Sequence, residues 1–201
     1  DSTSYGAGTS IIGYAGLEPR LSLRYSLTTK ASVKVSFNRM RQYVQVLSTT
    51  TTIAPTDIWK LTDPYVKPQI GDQVSVGFYK SVRNSSVEFS VETYYKSIQN
   101  AVDFKGAAVL PLNHHVETDL VNAKGAAYGL EIAFRKTYGK LNGWMSYTYS
   151  RSLLQTNNAY SSEIVNEGKY YPSSYDKPHA FNLVANYKFN RRFNCSFTTT
   201  Y

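Results

Sequence analysis

Along most of this chain apolar and polar residues alternate one for one. Leu17, Leu21, Leu23, Tyr25 and Leu27 fall on one side of an extended segment, and Glu18, Arg20, Ser22, Arg24 and Ser26 on the other, because successive strand side chains point to opposite faces. The same period sets Val33, Val35 and Phe37 against Lys34, Ser36 and Asn38, and Val74, Val76 and Phe78 against Gln73, Ser75 and Gly77. It sets Val87, Phe89, Val91 and Tyr95 against Glu88, Ser90, Glu92 and Lys96, and Tyr128, Leu130, Ile132 and Phe134 against Gly129, Glu131, Ala133 and Arg135. Met145, Tyr147 and Tyr149 oppose Trp144, Ser146 and Thr148; Phe181, Leu183, Ala185, Tyr187 and Phe189 oppose Asn182, Val184, Asn186 and Lys188. The last run places Phe193, Cys195, Phe197 and Tyr201 opposite Asn194, Ser196 and Thr200. The pattern predicts an all-β protein of about eight antiparallel strands, each with one apolar face.

The connections alternate in length. Thr28-Thr29-Lys30-Ala31, Arg83-Asn84-Ser85-Ser86, Tyr138-Gly139-Lys140-Leu141-Asn142 and Asn190-Arg191-Arg192 are compact turn formers. The stretches 46–71, 102–122 and 154–178 lose the period and collect Pro, Asn, Thr, Ser and aromatics. Soluble hairpin proteins mostly use connections of about 4 to 6 residues, whereas outer-membrane barrels pair short periplasmic turns with long external loops. Residues 1–16 read as a loop and 17–201 as one partial barrel domain.

Periodicity alone does not say whether the apolar face meets lipid or a soluble core. Two features favour lipid: the loop asymmetry, and charges such as Glu18, Arg24, Glu92, Glu131 and Arg135 in mid-strand, which suit a wet lumen. There is no run of 18 or more apolar residues for a helical span and no signal-peptide pattern at the start; a barrel strand needs only about 9 to 11 residues to cross. The 18 Tyr, 9 Phe and 2 Trp suit the interfacial belts of such a barrel, with a Tyr-rich soluble β-protein as the alternative.

The net charge of +8 does not make a nucleic-acid surface, because Arg39, Arg41, Lys80, Arg83, Lys136, Lys140, Arg191 and Arg192 are scattered. The single Cys195 excludes an intrachain disulfide framework and acts as a small apolar filler. The sequons Asn84-Ser85-Ser86 and Asn194-Cys195-Ser196 are short patterns of the kind chance produces.

From Leu17-Glu18-Pro19-Arg20-Leu21-Ser22-Leu23-Arg24-Tyr25 onward, ordered blocks resemble the barrel of a TonB-dependent receptor of the Bacteroidetes kind, which carries a carboxypeptidase-regulatory-like extension before its plug. These blocks are Phe37-Asn38-Arg39-Met40-Arg41-Gln42-Tyr43, Pro55-Thr56-Asp57-Ile58-Trp59, Lys67-Pro68-Gln69 through Asp72-Gln73, and Ser90-Val91-Glu92-Thr93-Tyr94-Tyr95-Lys96. Ala127-Tyr128-Gly129-Leu130-Glu131, Gly143-Trp144-Met145-Ser146-Tyr147-Thr148-Tyr149-Ser150 and Tyr171-Pro172 through Tyr175-Asp176-Lys177-Pro178-His179 follow in order. The resemblance implies a barrel of 22 strands, of which this chain is the later part, without plug, coupling box or closing aromatic-ended strand. It implies ligand capture by external loops and plug-gated, energy-coupled import across the outer membrane of a Gram-negative bacterium. The implied partners are outer-membrane lipid and lipopolysaccharide, the TonB energy-coupling protein acting through the plug, and a surface lipoprotein. A passive porin, or a structural barrel of a larger envelope complex, is the alternative; siderophore, cobalamin, oligosaccharide and peptide all remain open as cargo.

Candidate chemistry is sparse. His114, His115, Glu117 and Asp119 share a long loop, but their spacing matches no metal-ligand signature, so neither a metal nor any other cofactor is expected. Asp176 and His179 form the one plausible acid–base pairing, yet no Gly-x-Ser-x-Gly elbow accompanies it, and no enzyme is expected. The ligand-binding candidates are loop residues: Trp59, Tyr170, Tyr171, Tyr175, Asp176 and His179, where rings stack on a cargo and polar groups orient it. For each the competing role is structural, as interface belt or loop packing.

Overall fold

The computed structural model describes residues 6, 8–9, 11–47, 58–82, 86–104, 119–156 and 164–201. The strands are β1 (Arg20–Thr28), β2 (Ala31–Gln42), β3 (Val44–Leu47), β4 (Ile58–Leu61), β5 (Gln69–Val82), β6 (Val87–Phe104), β7 (Leu120–Lys136), β8 (Leu141–Gln155), β9 (Tyr171–Pro172), β10 (His179–Lys188) and β11 (Asn194–Thr200). One sheet runs in the order β1-β2-β5-β6-β7-β8-β10-β11, with β9 added alongside β8 and β3-β4 forming a separate hairpin. Its pairings are antiparallel, so the expected up-and-down order of eight strands holds. Among the described residues no helix is long and apolar enough to cross a membrane.

Register keeps the two faces separate across the whole sheet. Leu23 sits opposite Val35, Val35 opposite Val76, Val76 opposite Thr93, and Thr93 opposite Leu130. Each neighbouring row is polar: Ser22 meets Ser36, Ser36 meets Ser75, and Glu88 meets Arg135. The polar rows line a hollow of about 610 Å³ that takes side chains from β1, β2, β5, β6 and β7, among them Arg24, Lys34, Tyr79 and Arg135. The polar face is therefore the concave one. The apolar face stands bare, with Leu21, Leu23 and Tyr25 each about 70% exposed. A soluble barrel places its apolar rows inside, so the curvature supplies what periodicity lacked: a continuous outward apolar face of this extent belongs against hydrocarbon.

The protein's own buried apolar residues gather at the long-loop end. Leu47, Val66, Ala101, Val121, Ala123 and Ala126 are the buried hydrophobic residues among those described. Leu47 packs against Ile58, Val102, Phe104 and Leu120. The long connection 46–71 thus contains a hairpin that the sequence period does not show. Strands β6 and β7 also run further than the alternation, across a bulge between Ile98 and Ala101 where Asn100 adopts φ 55°. Asparagine tolerates that left-handed backbone better than most residues. At the start, the strand begins at Arg20, three residues later than Leu17; Pro19 has no N–H for a ladder, although its carbonyl still accepts the Arg39 amide at 3.0 Å.

At the opposite end the links are tight. Asn190 Oδ1 accepts the amides of Arg192 (2.8 Å) and Phe193 (2.9 Å) and so closes the β10–β11 turn. Gly143 has φ 152°, and a Cβ built there would lie 2.0 Å from the Val184 carbonyl oxygen. The β8–β10 ladder approaches this closely only because the side chain is missing.

Two outcomes follow for the intact barrel folding into lipid vesicles, read by urea titration. Arginine at Leu23, Val76, Val91 or Ile132 costs about 2–4 kcal/mol, and the same change at Ser22 or Ser90 costs less. Gly143→Ala costs about 1–3 kcal/mol or more, because the β8–β10 ladder must part or the backbone must strain.

Candidate functional site

The concave wall is built from alternate residues of β1, β2, β5, β6, β7, β8 and β10. Its charges are mixed. Arg24 lies opposite Lys34, Glu92 opposite Glu131, and Glu88 opposite Arg135. Like charges facing each other are unfavourable unless other groups absorb them, and here neighbouring side chains do so. Arg24 Nε donates to Ser32 Oγ at 3.0 Å. The Tyr79 hydroxyl donates to Glu92 at 2.5 Å. Gly77 stands opposite Glu92 in the ladder, and a Cβ at Gly77 would meet the Tyr79 hydroxyl at 2.7 Å. The glycine lets the ring lie flat on the sheet and reach the carboxylate. Sequence reading found these residues as polar rows but not this arrangement; the Gly77-x-Tyr79 spacing was the available signal.

Above the wall, the described part of the β8–β10 connection, residues 164–178, returns beside β8, and its Tyr171 reaches Asp103 on the inner face of β6. Thr156 is fully buried, and its hydroxyl accepts the Val165 amide at 2.8 Å. Gln155 Nε2 donates to the Gly168 carbonyl at 2.8 Å. The Tyr171 hydroxyl reaches Asp103 Oδ2 at 2.5 Å; burial first, and then this carboxylate, push the phenol well above its ordinary range. Val121 beneath is 1% exposed.

The six ligand candidates do not converge on one point. Tyr171 takes the lumenal side, and Tyr170 and Tyr175 are exposed near it in sequence. Asp176 is buried: it accepts from Arg151 Nε at 3.0 Å and from the Ser152 amide at 2.6 Å. His179 belongs to the outward row, opposite Tyr149, and its Nδ1 lies 2.9 Å from the Tyr147 hydroxyl. The two residues therefore serve different partners, Arg151 and Ser152 for Asp176 and Tyr147 for His179, although Arg151 and Tyr149 stand on one outward row of β8. Trp59 is exposed on the β3–β4 hairpin. Of the possible metal cluster, His114, His115 and Glu117 lie outside the described residues, as do Pro55-Thr56-Asp57; among the described residues no three His, Cys, Asp or Glu are grouped to hold a metal.

One organising residue went unnoticed in the sequence. Asp63 accepts from the amides of Val66 (2.6 Å) and Tyr65 (2.8 Å) and from Lys60 Nζ (2.7 Å); its own carbonyl accepts the Tyr14 hydroxyl at 2.9 Å. The signal was Asp63-Pro64, a turn-forming pair. Burial on its own raises the carboxyl pKa, but the hydrogen bonds from Lys60, Val66 and Tyr65, with the Lys60 charge, outweigh it and hold the group below the ordinary carboxylate range. A depressed folded value gives stability that is complete above the unfolded pKa of about 3.9 and is lost as pH falls through the folded one. Amide protection at Tyr65 and Val66 therefore declines in acid below about pH 4, and Asp63→Asn flattens that pH dependence in hydrogen exchange.

Comparison with known proteins agrees with this architecture. The family model described as TonB dependent receptor-like, beta-barrel matches residues 1–201. The chain is similar in structure to the ferric-catecholate import receptor Fiu of E. coli K12, with TM-score 0.62 and 14% identity over 90% of this chain and 24% of that one. It is also similar to a chain of the FpvAI–pyocin S2 complex, with TM-score 0.57 and 13% identity over 92% of this chain and 26% of that one. It thus spans about a quarter of either solved chain. No curated protein matches the sequence. With a bare apolar outer face, a polar concave wall and a family match along its full length, the chain belongs to the TonB-dependent receptor-like β-barrels, a family of the Gram-negative outer membrane.

Proposed function

We propose that this chain forms part of the barrel wall of a receptor that captures its ligand at external loops and admits it through a plug-gated lumen, driven by the TonB energy-coupling protein. The observation that carries this reading is the concave wall of mixed charge, with Arg24, Lys34, Glu92, Glu131 and Arg135 facing inward. Each exposed ion pair across such a wall is worth only about 0–1 kcal/mol. A plug resting on many weak polar contacts is held in register yet is free to shift when pulled. The ordered sequence blocks favour a receptor of the Bacteroidetes type, with a surface lipoprotein as an external partner.

Tyr170, Tyr171 and Tyr175 are proposed as ligand contacts at the external mouth, because Tyr171 takes the lumenal side beside Asp103 while the other two stay exposed. Asp176, tied to Arg151 and Ser152, shapes this loop and does not meet the cargo directly. Fiu imports a ferric catecholate; import is proposed here too, with cargo class set by the loops.

The test uses cells carrying the intact receptor and labelled ferric siderophores, cobalamin, oligosaccharides and peptides. One class enters at a saturable rate, entry stops when the energy-coupling protein is removed, and Tyr175→Ala weakens binding by about 1.4 kcal/mol, a tenfold rise in Kd. Entry that persists without the coupling protein makes the barrel a passive pore.

A further inference from the structure

Positive charge is handled differently at the two ends of the sheet. At the loop end the chain neutralises outward cations itself. Arg39 donates to both Asp72 oxygens at 2.6 and 2.8 Å, and Arg151 holds Asp176 at 3.0 Å. At the short-turn end it does not. Lys80 and Lys136 close two of the outward apolar rows, two residues beyond Phe78 and Phe134. Lys30, Lys140, Lys188, Arg191 and Arg192 stand exposed in or beside the turns. Among the described residues none of these cations forms an ion pair. Residues 132–155 and 177–201, which include the β7–β8 and β10–β11 turns, contain no Asp or Glu.

The charge is densest where those two turns lie side by side. The Lys188 amide donates to the Lys140 carbonyl at 2.8 Å, so two lysines meet across the end of the β8–β10 ladder. Like charges opposed in this way repel, and neither segment supplies a carboxylate to offset them. Arg191 and Arg192 follow in the turn that Asn190 caps. With Phe189 and Phe193 these four cations line a cleft of about 690 Å³. The two phenylalanines continue the outward row of Tyr187 and Cys195, which are opposite each other in the β10–β11 ladder. Ring centroids lie 4.6 Å apart for Tyr187 and Phe189 and 5.1 Å apart for Phe189 and Phe193, and all three rings keep much of their surface exposed. The cleft thus joins a cationic lip to an aromatic wall that extends the bare outer face of the barrel.

Short turns of outer-membrane barrels face the periplasm, where the leaflet is phospholipid. We infer that the cleft between the β7–β8 and β10–β11 turns binds an anionic phospholipid of this leaflet, with Lys140, Lys188, Arg191 and Arg192 on its phosphate and Phe189 and Phe193 against the first carbons of its acyl chains. Arginine forks match phosphate oxygens, and cations at a membrane surface attract anionic lipid. Lys80 and Lys136 set the source of the phosphate as lipid. They extend the same charge onto the ends of lipid-facing rows, whereas a soluble phosphate or a periplasmic protein would call for charge on the turn tips alone. The site involves no cargo and stands apart from the import reading.

Cys195 supplies the test: it is exposed, and it lies one residue beyond the cleft residue Asn194. The full receptor, with any cysteines outside this chain replaced, carries a bimane dye on Cys195 and is reconstituted in mixtures of phosphatidylglycerol and phosphatidylcholine, one or the other with brominated acyl chains. Bromine quenches the dye only at contact, so quenching across the mixing ratios gives the relative occupancy of the two lipids beside the cleft. The expected result is a preference of about fivefold for phosphatidylglycerol. It falls to parity in Lys140→Gln/Arg191→Gln/Arg192→Gln and reverses in Arg191→Glu/Arg192→Glu. The substituted side chains are exposed and the Asn190 cap is kept; quenching by both lipids in the variants shows that the wall is still inserted. Parity in the parent overturns the inference, and so does a preference that survives the substitutions. Loss of preference on adding millimolar inorganic phosphate, at ionic strength held constant with chloride, makes the free ion the occupant and overturns the lipid assignment. Absence of quenching by either lipid in the parent shows a protein over the cleft and overturns it equally.

Discussion

Everything in this structure depends on one rule of the bilayer: a backbone amide or carbonyl in hydrocarbon must be paired within the protein. Between the two edge strands, antiparallel ladders from β1 to β11 satisfy it along the regular parts of the strands, with register shifts at Ser26–Thr28 and Ile98–Ala101. Once the ladder is fixed, so is the face of every side chain, because a slip of one residue would send Leu23 to the lumen and Arg24 to the lipid. The Tyr79–Glu92 contact, the Arg24–Ser32 contact and the outward apolar rows are consequences of that single register. Where the rule relaxes, at the Ile98–Ala101 bulge, the chain stops being a bare wall and builds packed loops with a core of their own.

That boundary also separates what the sequence reveals from what it conceals. Leu21 to Leu27 and Val74 to Phe78 are legible because one face meets lipid and the other water, giving the largest contrast a strand can show. Val44-Gln45-Val46-Leu47 is not legible: its buried face carries a glutamine, whose amide reaches the Lys67 carbonyl at 3.5 Å, and its half-buried face carries two valines. Val102 and Phe104 fall outside the read strand because the bulge shifts the phase before them. Asp176 and His179 are three residues apart in sequence, which suggests a pair; each bonds elsewhere instead, His179 to Tyr147 and Asp176 to Arg151, which lies 25 residues away, beyond any local pattern. Among the candidate residues, sequence gave the aromatic and acidic identities at the loop end, while the side of the wall each one serves required coordinates.

The bare outer wall bears on how this sequence can vary. A protein core constrains its residues by shape as well as by polarity, since each side chain must fit rigid neighbours. Lipid chains are fluid and mould themselves to whatever stands against them. At Leu23, Val76 or Ile132, any residue that is greasy and accepts extended backbone serves equally well, so these positions are free to drift so long as they stay apolar. Exacting fit is confined to places such as Gly143 and the Leu47 cluster. A barrel of this kind keeps its architecture while its letters turn over, and two members of the family come to share a wall without sharing its spelling.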